Sequence, residues 1–337
     1  MNPSSVNPSK NPSRKLRVGV LRGGPHKEYE ASLKSGKSVI DSLRGKEQYS
    51  IQDIFIDRSG TWHIGGLPRT PDRVLPHVDV VVNALHGRYG EDGHVQKILE
   101  SHNVPFTGSA SLGTAVGLNK TLTRRQFKQL GILVPEHVVV RKEEFVSDPQ
   151  VVAQKIASRY PHLRIVRSIA PDIHHLHYHS TVKPVQSQDH LEVLLDQTFE
   201  ESGADSVLVE EFVKGNNIVC GVIEGNASID KNFAHEIYPL LPAGVDEQHS
   251  FIHPHSIGLS KEEISNIQNL AIQAHKALGL RHYSSTHFVL NRMGPYVVEV
   301  NILPSLAEDS VFPKSLAATG VSLGEFLEHI IARATNR

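Results

Sequence analysis

The chain has 337 residues, 39% of them hydrophobic and 21% charged, with a formal net charge of −1 and 1 cysteine. This length supports two or three cores. The neutral balance leaves no basic face that asks for nucleic acid, and the lone Cys220 excludes an internal disulfide and suits a reducing compartment.

No apolar run reaches the ~20 residues of a membrane helix, so a cytoplasmic protein without membrane or nucleic-acid partners is expected. MNPSSVNPSKNPSR (1–14) is polar and proline-rich, which predicts a disordered tail and not a signal peptide. LRVGVLRGG (16–24) reads as a buried strand entering a double-glycine turn, and Leu33, Ile40 and Leu43 then fall along one helix face. YSIQDIFI (49–56), VDVVVNAL (78–85) and VPFTGS (104–109) are further strand candidates. Their alternation with helical segments predicts a doubly wound parallel sheet in an N-terminal domain, residues 15–112.

GLNKTLTRRQFKQLGI (117–132) predicts a helix stopped by Gly131, followed by the strand VPEHVVV (134–140). In the middle, LRIVRS (163–168) and DSVLVEEFV (205–213) read as strands flanking a helix near 187–201. SKEE (260–263) is a capping box, Ser260 with Glu263, heading a long helix that ends at Gly279. THFVLNRMGPYVVEVNI (286–302) reads as a hairpin turning at Asn291–Gly294, and Ser322 with Glu325 caps the final helix. The expected organisation is α/β: the N-terminal domain, a central α+β lobe over 113–205, and a C-terminal α+β lobe over 206–337.

HGRYGEDGHVQ (86–96) holds more glycine and acid than a strand-to-helix turn needs. It predicts a ligand loop at the carboxyl end of a parallel strand, where open α/β sheets bind their substrates. Glu28, Glu91 and Asp92 each stand at a helix start, where the macrodipole alone would favour an acid. Glu299 and Asn301 are two apart on a strand and share one face, a pair of oxygen side chains that suits a hard divalent cation or simply a solvated edge. The turn that follows, ILPSLAEDS, opens a helix at Ser310 and places backbone N–H groups near that pair. In HHLHYH (174–179), His175, His177 and His179, with His174 beside them, could share a face for zinc. No cysteine or carboxylate with ligand spacing accompanies them, which favours a solvated polar loop.

Taken in order, GGPHKEYEASLKSG (23–36), HGRYGEDGHVQKILESHNVPFTGS (86–109), GLNKTLTRRQFKQLGI (117–132) and VVEVNILPSLAEDSVFP (297–313) resemble the D-alanine–D-alanine ligases of the ATP-grasp superfamily. The resemblance runs from about Leu16 to the C-terminus. It implies an ATP-grasp fold, a homodimer through the N-terminal domain, and ATP with magnesium or manganese as cofactors. The implied chemistry is phosphorylation of one D-alanine carboxylate and attack by the amine of a second, in peptidoglycan precursor synthesis. By the same resemblance Glu28 anchors the ammonium of the first D-alanine, with His86, Gly87 and Asp92 of the loop beside it. Lys120 reaches the ATP phosphates, and Glu210, Glu211, Phe212 and Val213 form the hinge that holds adenine. Glu299 and Asn301 match magnesium ligands, and Ser310 matches a serine on the second substrate's carboxylate, which with Glu28 places it nearest the chemistry.

Several positions depart from that pattern. Arg167 stands where the family has a phosphate-binding lysine, and SIAPDIHHLHYHS (168–180) contains no glycine, whose freedom a phosphate cradle relies on. Asn217 replaces a ribose-binding acid, and YPLLPAGVDEQHSFIHP (238–254) lacks the covering lysine-tyrosine loop. Ser285-Thr286-His287 replaces Arg-x-Asp, and Ser305 replaces the glycine of a Pro-Gly turn. Losing one charge-stabilising donor typically costs ~10²–10³ in rate, and imidazole is a poor magnesium ligand. Three expectations stay open: a ligase with unusual phosphate contacts, a non-catalytic descendant that binds a small molecule or a protein, and an enzyme in which His287 joins Glu299 and Asn301 around manganese or zinc.

Overall fold

This computed structural model describes residues 14–160, 163–168, 185, 187–225, 236–246 and 250–335. The expected tail apart from Arg14, the 169–180 part of the glycine-free loop and the histidines at 174, 175, 177 and 179 lie outside the described residues.

Alternating valines build the first layer. β1 (Leu16–Gly23) buries Val18, Val20 and Leu21 completely and lies parallel to both β2 (Tyr49–Ile56) and β5 (Val80–Asn83). β3 (Trp62–Ile64) and β4 (Leu67–Arg69) extend the β2 edge as an antiparallel hairpin, giving the order β4-β3-β2-β1-β5. The sheet is therefore mixed and not wholly parallel. Gly65 and Gly66, both at positive φ (58° and 78°), supply the two-residue turn that a hairpin of this hand needs. VPFTGS does not form the expected strand. It contributes one parallel bridge, Val81 to Phe106, because Pro105 has no N–H to donate and Gly108 turns the chain at φ 93°.

α1 (Tyr29–Leu43) buries Ser32, Ser35, Gly36, Val39 and Leu43, while Leu33 and Ile40 are only half-buried. Of the predicted face Leu43 is buried as expected, whereas small residues that apolar periodicity passes over, Ser32, Ser35 and Gly36, take the places next to Leu33 and Ile40. A Cβ on Gly36 would stand 2.5 Å from the Arg22 side chain, so glycine sets how closely helix and strand approach.

α2 (Pro71–Val74), α3 (Arg88–Glu91) and α4 (His94–Ser101) follow, and the 117–132 run is not one helix. α5 (Ser111–Leu118) takes its first two residues, and α6 (Lys120–Gln129) starts afresh. Asn119, at φ −80° and ψ 94°, leaves the helical region, and its side chain accepts from the Leu122 N–H. Lys120 thereby becomes the first residue of a helix.

The central sheet joins β6 (His137–Arg141), β7 (Leu163–Ser168) and β8 (Ser206–Glu211), all antiparallel, in the order β6-β8-β7. α7 (Lys142–Ser147), α8 (Pro149–Arg159) and α9 (Gln188–Ser202) cover it through Phe145, Leu195 and Phe199. A division after residue 205 would cut this sheet; the chain leaves it at Phe212.

In the last sheet, β9 (Asn216–Glu224) is central, between β11 (Ala243–Val245) and β13 (Tyr283–Asn291). β10 (Ile237–Pro239), β12 (Phe251–Ile252) and β14 (Gly294–Asn301) complete it, with α10 (Lys261–Ala277), α11 (Val311–Ala318) and α12 (Leu323–Thr335) packed around. Both capping boxes form as expected. One apolar cluster runs from Val20 and Val82 through to Phe288, Phe312 and Phe326, so the first and last sheets share a core.

Beside that core, Glu224 at the end of β9 accepts from the His282 N–H and from the Arg333 guanidinium, each at 2.8 Å. Burial alone would raise its carboxyl; the His275 imidazole 3.7 Å away, the His282 backbone N–H and the charge of Arg333 outweigh that and bring it from its ordinary 4.5 down to about 2. A carboxyl lowered by folding stabilises the protein above its unfolded value and loses that contribution as pH falls through the folded one. Glu224→Gln should therefore cost about 1.5–3 kcal/mol at neutral pH. In urea melts the gap to the parent protein should close between pH 4.5 and about 2.

Candidate functional site

The surplus polar groups of the 86–96 loop turn out to hold the loop together. Gly87, at φ 73°, makes a turn few other residues adopt, and a Cβ there would collide with the Glu28 carboxylate. Glycine is what lets Glu28 lie against the loop. Glu91, 2% exposed, accepts from the Gly87 N–H at 3.0 Å, and Gln96 donates to the Gly90 carbonyl at 2.7 Å. Asp92 accepts from the His94 N–H at 2.8 Å, so this expected substrate contact is engaged in capping α4. Both carboxylate oxygens of Glu28 are buried.

A second set of side chains converges on the same loop. Ser35 Oγ lies 2.6 Å from His86 Nε2 and 3.1 Å from Ser305 Oγ, which lies 2.8 Å from Ser310 Oγ. Three segments far apart in the chain meet here: α1, the turn after β5 and the turn after β14. His86 and Ser310 were singled out from the sequence separately, whereas Ser35 was missed. Its signal was present in SLKSG, where Ser32, Ser35 and Gly36 make a small-residue stripe at helical spacing.

Three of the expected nucleotide and metal residues, Lys120, Glu210 and Glu299, meet at α6. Lys120 Nζ is 3.7 Å from Glu299 Oε1, with side-chain exposures of 10% and 5%. One turn along, Arg124 Nη2 is 2.6 Å from Glu210 Oε2, at 3% and 0%. The cavity between them, lined by Gly117, Lys120, Arg124, Phe127 and Glu299, holds about 20 Å³, room for about one water. Glu211 is tied to Glu136 through backbone and side chain, and Val213 is buried with Val289 and Val298. Phe212 is half-buried where the chain leaves β8; Asn217, also half-buried, pairs with Val289 across β9–β13. Arg167 lies on β7 with its backbone opposite Leu208.

His287 pairs in register with Glu299, and Ser285 with Asn301, so the four side chains share one face of the β13–β14 ladder. Asn301 Oδ1 accepts from the Leu303 N–H at 2.9 Å, which closes the turn after β14. Among the described residues, no three or more His, Cys, Asp or Glu side chains are placed to hold a metal ion. With Lys120 already against Glu299 and an imidazole opposite it, this donor set does not fit magnesium.

Comparison with known proteins places these features in a lineage. The family described as D-ala D-ala ligase C-terminus matches residues 126–332, and D-ala D-ala ligase N-terminus matches 67–109. The D-alanine–D-alanine ligase of Desulforamulus reducens is 29% identical over 332 residues, covering 95% of this chain and 98% of that protein. Among solved structures, the D-alanine–D-alanine ligase of Coxiella burnetii superposes with a TM-score of 0.80 at 24% identity, over 96% of this chain and 94% of the other. The ATP complex of the Bacillus anthracis ligase gives 0.73 at 24% identity, over 95% and 96%. At those identities the two structures establish the shared fold.

The Arg124–Glu210 pair has a direct test. Glu210→Gln should cost roughly 3–5 kcal/mol in urea unfolding, because it leaves a guanidinium buried without its counter-charge. Combining Arg124→Met with Glu210→Leu should recover most of that loss.

Proposed function

The chain belongs to the D-alanine–D-alanine ligase family, and from that premise we propose that it seats two small amino acids, D-alanine first, and joins them by ATP-dependent carboxylate–amine ligation. The observation that carries this reading is the convergence of Glu28, Gly87 and His86 with Ser35, Ser305 and Ser310 beyond the carboxyl ends of β1 and β5. Glu28 pairs with the ammonium of the first amino acid, a charge-assisted contact worth roughly 1.5–3 kcal/mol. Ser310 meets the carboxylate of the second. ATP, when bound, supplies the phosphoryl group that turns the first carboxylate into a leaving group. Lys120 at its phosphates and the 210–213 hinge at its adenine are the residues suited to hold it.

Admitting phosphate means drawing Lys120 from Glu299, which makes nucleotide binding weak. Magnesium finds no fitting set of ligands at Glu299 and Asn301, where Lys120 and His287 stand against the carboxylate. In this reading the protein works in the cytoplasm, as a homodimer through the N-terminal domain, in peptidoglycan precursor synthesis. No helix among the described residues is long and apolar enough to cross a membrane.

A second reading, a descendant that binds its amino acid without ligating it, is favoured by Ser285 and His287. They stand where the family places a charge-stabilising arginine and a metal-binding aspartate. Two experiments separate the readings. Millimolar D-alanine should raise the melting temperature, as a ligand selective for the folded state must, and Glu28→Gln should abolish that shift while hardly changing the unliganded melt. Phosphate release with ATP and D-alanine should be slow, and should rise ~10²–10³-fold in the Ser285→Arg/His287→Asp double variant with magnesium. Background release in both proteins, with the D-alanine shift intact, selects the second reading. No shift with any small amino acid defeats both.

A further inference from the structure

Ser310 holds the N-cap position of α11, where a serine hydroxyl ordinarily accepts from an N–H of the first turn, yet it makes no such bond. Its oxygen lies instead against Ser305 Oγ, and the line continues through Ser35 Oγ to His86 Nε2 at 2.8, 3.1 and 2.6 Å. Ser35 is fully buried and also receives the Leu306 N–H at 3.2 Å; Ser305 receives the Ala307 N–H at 3.4 Å.

Each hydroxyl carries one proton, so the directions of these bonds are not independent. When His86 Nε2 accepts, Ser35 donates to the ring, Ser305 donates to Ser35, and Ser310 donates to Ser305. When Nε2 carries the proton, every bond reverses and Ser310 accepts from Ser305. Only then is the Ser310 O–H available to an outside acceptor. The line therefore has two states, distinguished by what Ser310 offers a ligand.

We propose that Ser305 is a positioning residue that couples the two amino-acid seats: it transmits the proton placement of His86 to Ser310, so that a carboxylate bound at Ser310 selects the state in which His86 Nε2 is the donor. This inference rests on the amino-acid reading of the site given above. Glycine, the family's residue at this position, could not carry the line, so the coupling belongs to this chain. What looks in the sequence like the loss of a turn glycine is in the structure the gain of the middle link.

The test is a double-substitution cycle read at the imidazole, with no ligand present. In ¹⁵N-histidine-labelled protein the His86 signal is assigned by its disappearance in His86→Gln. Ser310→Ala should move the His86 ring-nitrogen shifts in the parent protein and leave them unmoved once Ser305→Ala is present. Ser305→Thr, which keeps a hydroxyl, should restore the response, and Ser305→Gly should behave as Ser305→Ala. A response to Ser310→Ala that is the same with and without the Ser305 hydroxyl, or absent in both, overturns the proposal.

In steady state, Ser305→Ala should weaken the second D-alanine about three- to tenfold and leave the first unchanged. Equal loss at both seats, or loss at neither, also overturns it. The cycle needs no substrate, so a protein that passes it yet binds no D-alanine refutes the ligase reading and leaves the hydroxyl line standing.

Discussion

One buried hydroxyl sets the geometry of the cluster around Glu28 and His86. Ser32 Oγ accepts from the Gly23 N–H at 2.8 Å and donates to the Ala84 carbonyl at 3.0 Å, bridging the ends of β1 and β5 from the first turn of α1. Both partners are backbone groups that the sheet has finished with and that would otherwise be buried unsatisfied. Because Glu28, Ser32 and Ser35 are spaced i, i+4 and i+7, pinning the middle one aims all three at the same edge. Glu28 then meets Gly87, and Ser35 meets His86. Ordinary helix spacing turns one contact into a site.

The other end is organised by charge. Lys120 and Arg124 lie one turn apart on α6 and face Glu299 of β14 and Glu210 of β8. The helix thus ties the central sheet to the last one through two ion pairs held away from water. Such pairs add little net stability, since the desolvation of both charges offsets their attraction, but removing one partner leaves a costly uncompensated charge. The same pairing explains why the space beside them is water-sized.

Much of this was legible in the sequence, and the failures have a pattern. β1, β2, the β13–β14 hairpin and both capping boxes depend on residues within a few positions of one another, and they were read correctly. β9 went unmarked because a strand buried on both faces shows no alternation. The 117–132 run looked continuous because asparagine in a polar helix pattern does not announce itself as a cap. The α1 face was read correctly only at Leu43, because apolar periodicity overlooks serine and glycine, which here make the closest approach. In the site, Glu28, His86 and Ser310 could be picked out by motif. Their connection through Ser35 and Ser305 spans 270 residues and belongs to the fold alone. The two acids of 86–96 were read as ligand contacts, whereas in the structure both bond backbone N–H groups of the loop itself.

The break at Asn119 changes the electrostatics of the residue after it. Had α5 continued, Lys120 would sit in mid-helix, indifferent to the backbone field. As the first residue of α6 it places an ammonium at the positive pole of a helix, where the macrodipole repels it. Glu299 relieves that repulsion with a single negative charge. A polyanion arriving there would meet two positive sources, side chain and helix pole, aligned in advance by the asparagine that starts the helix.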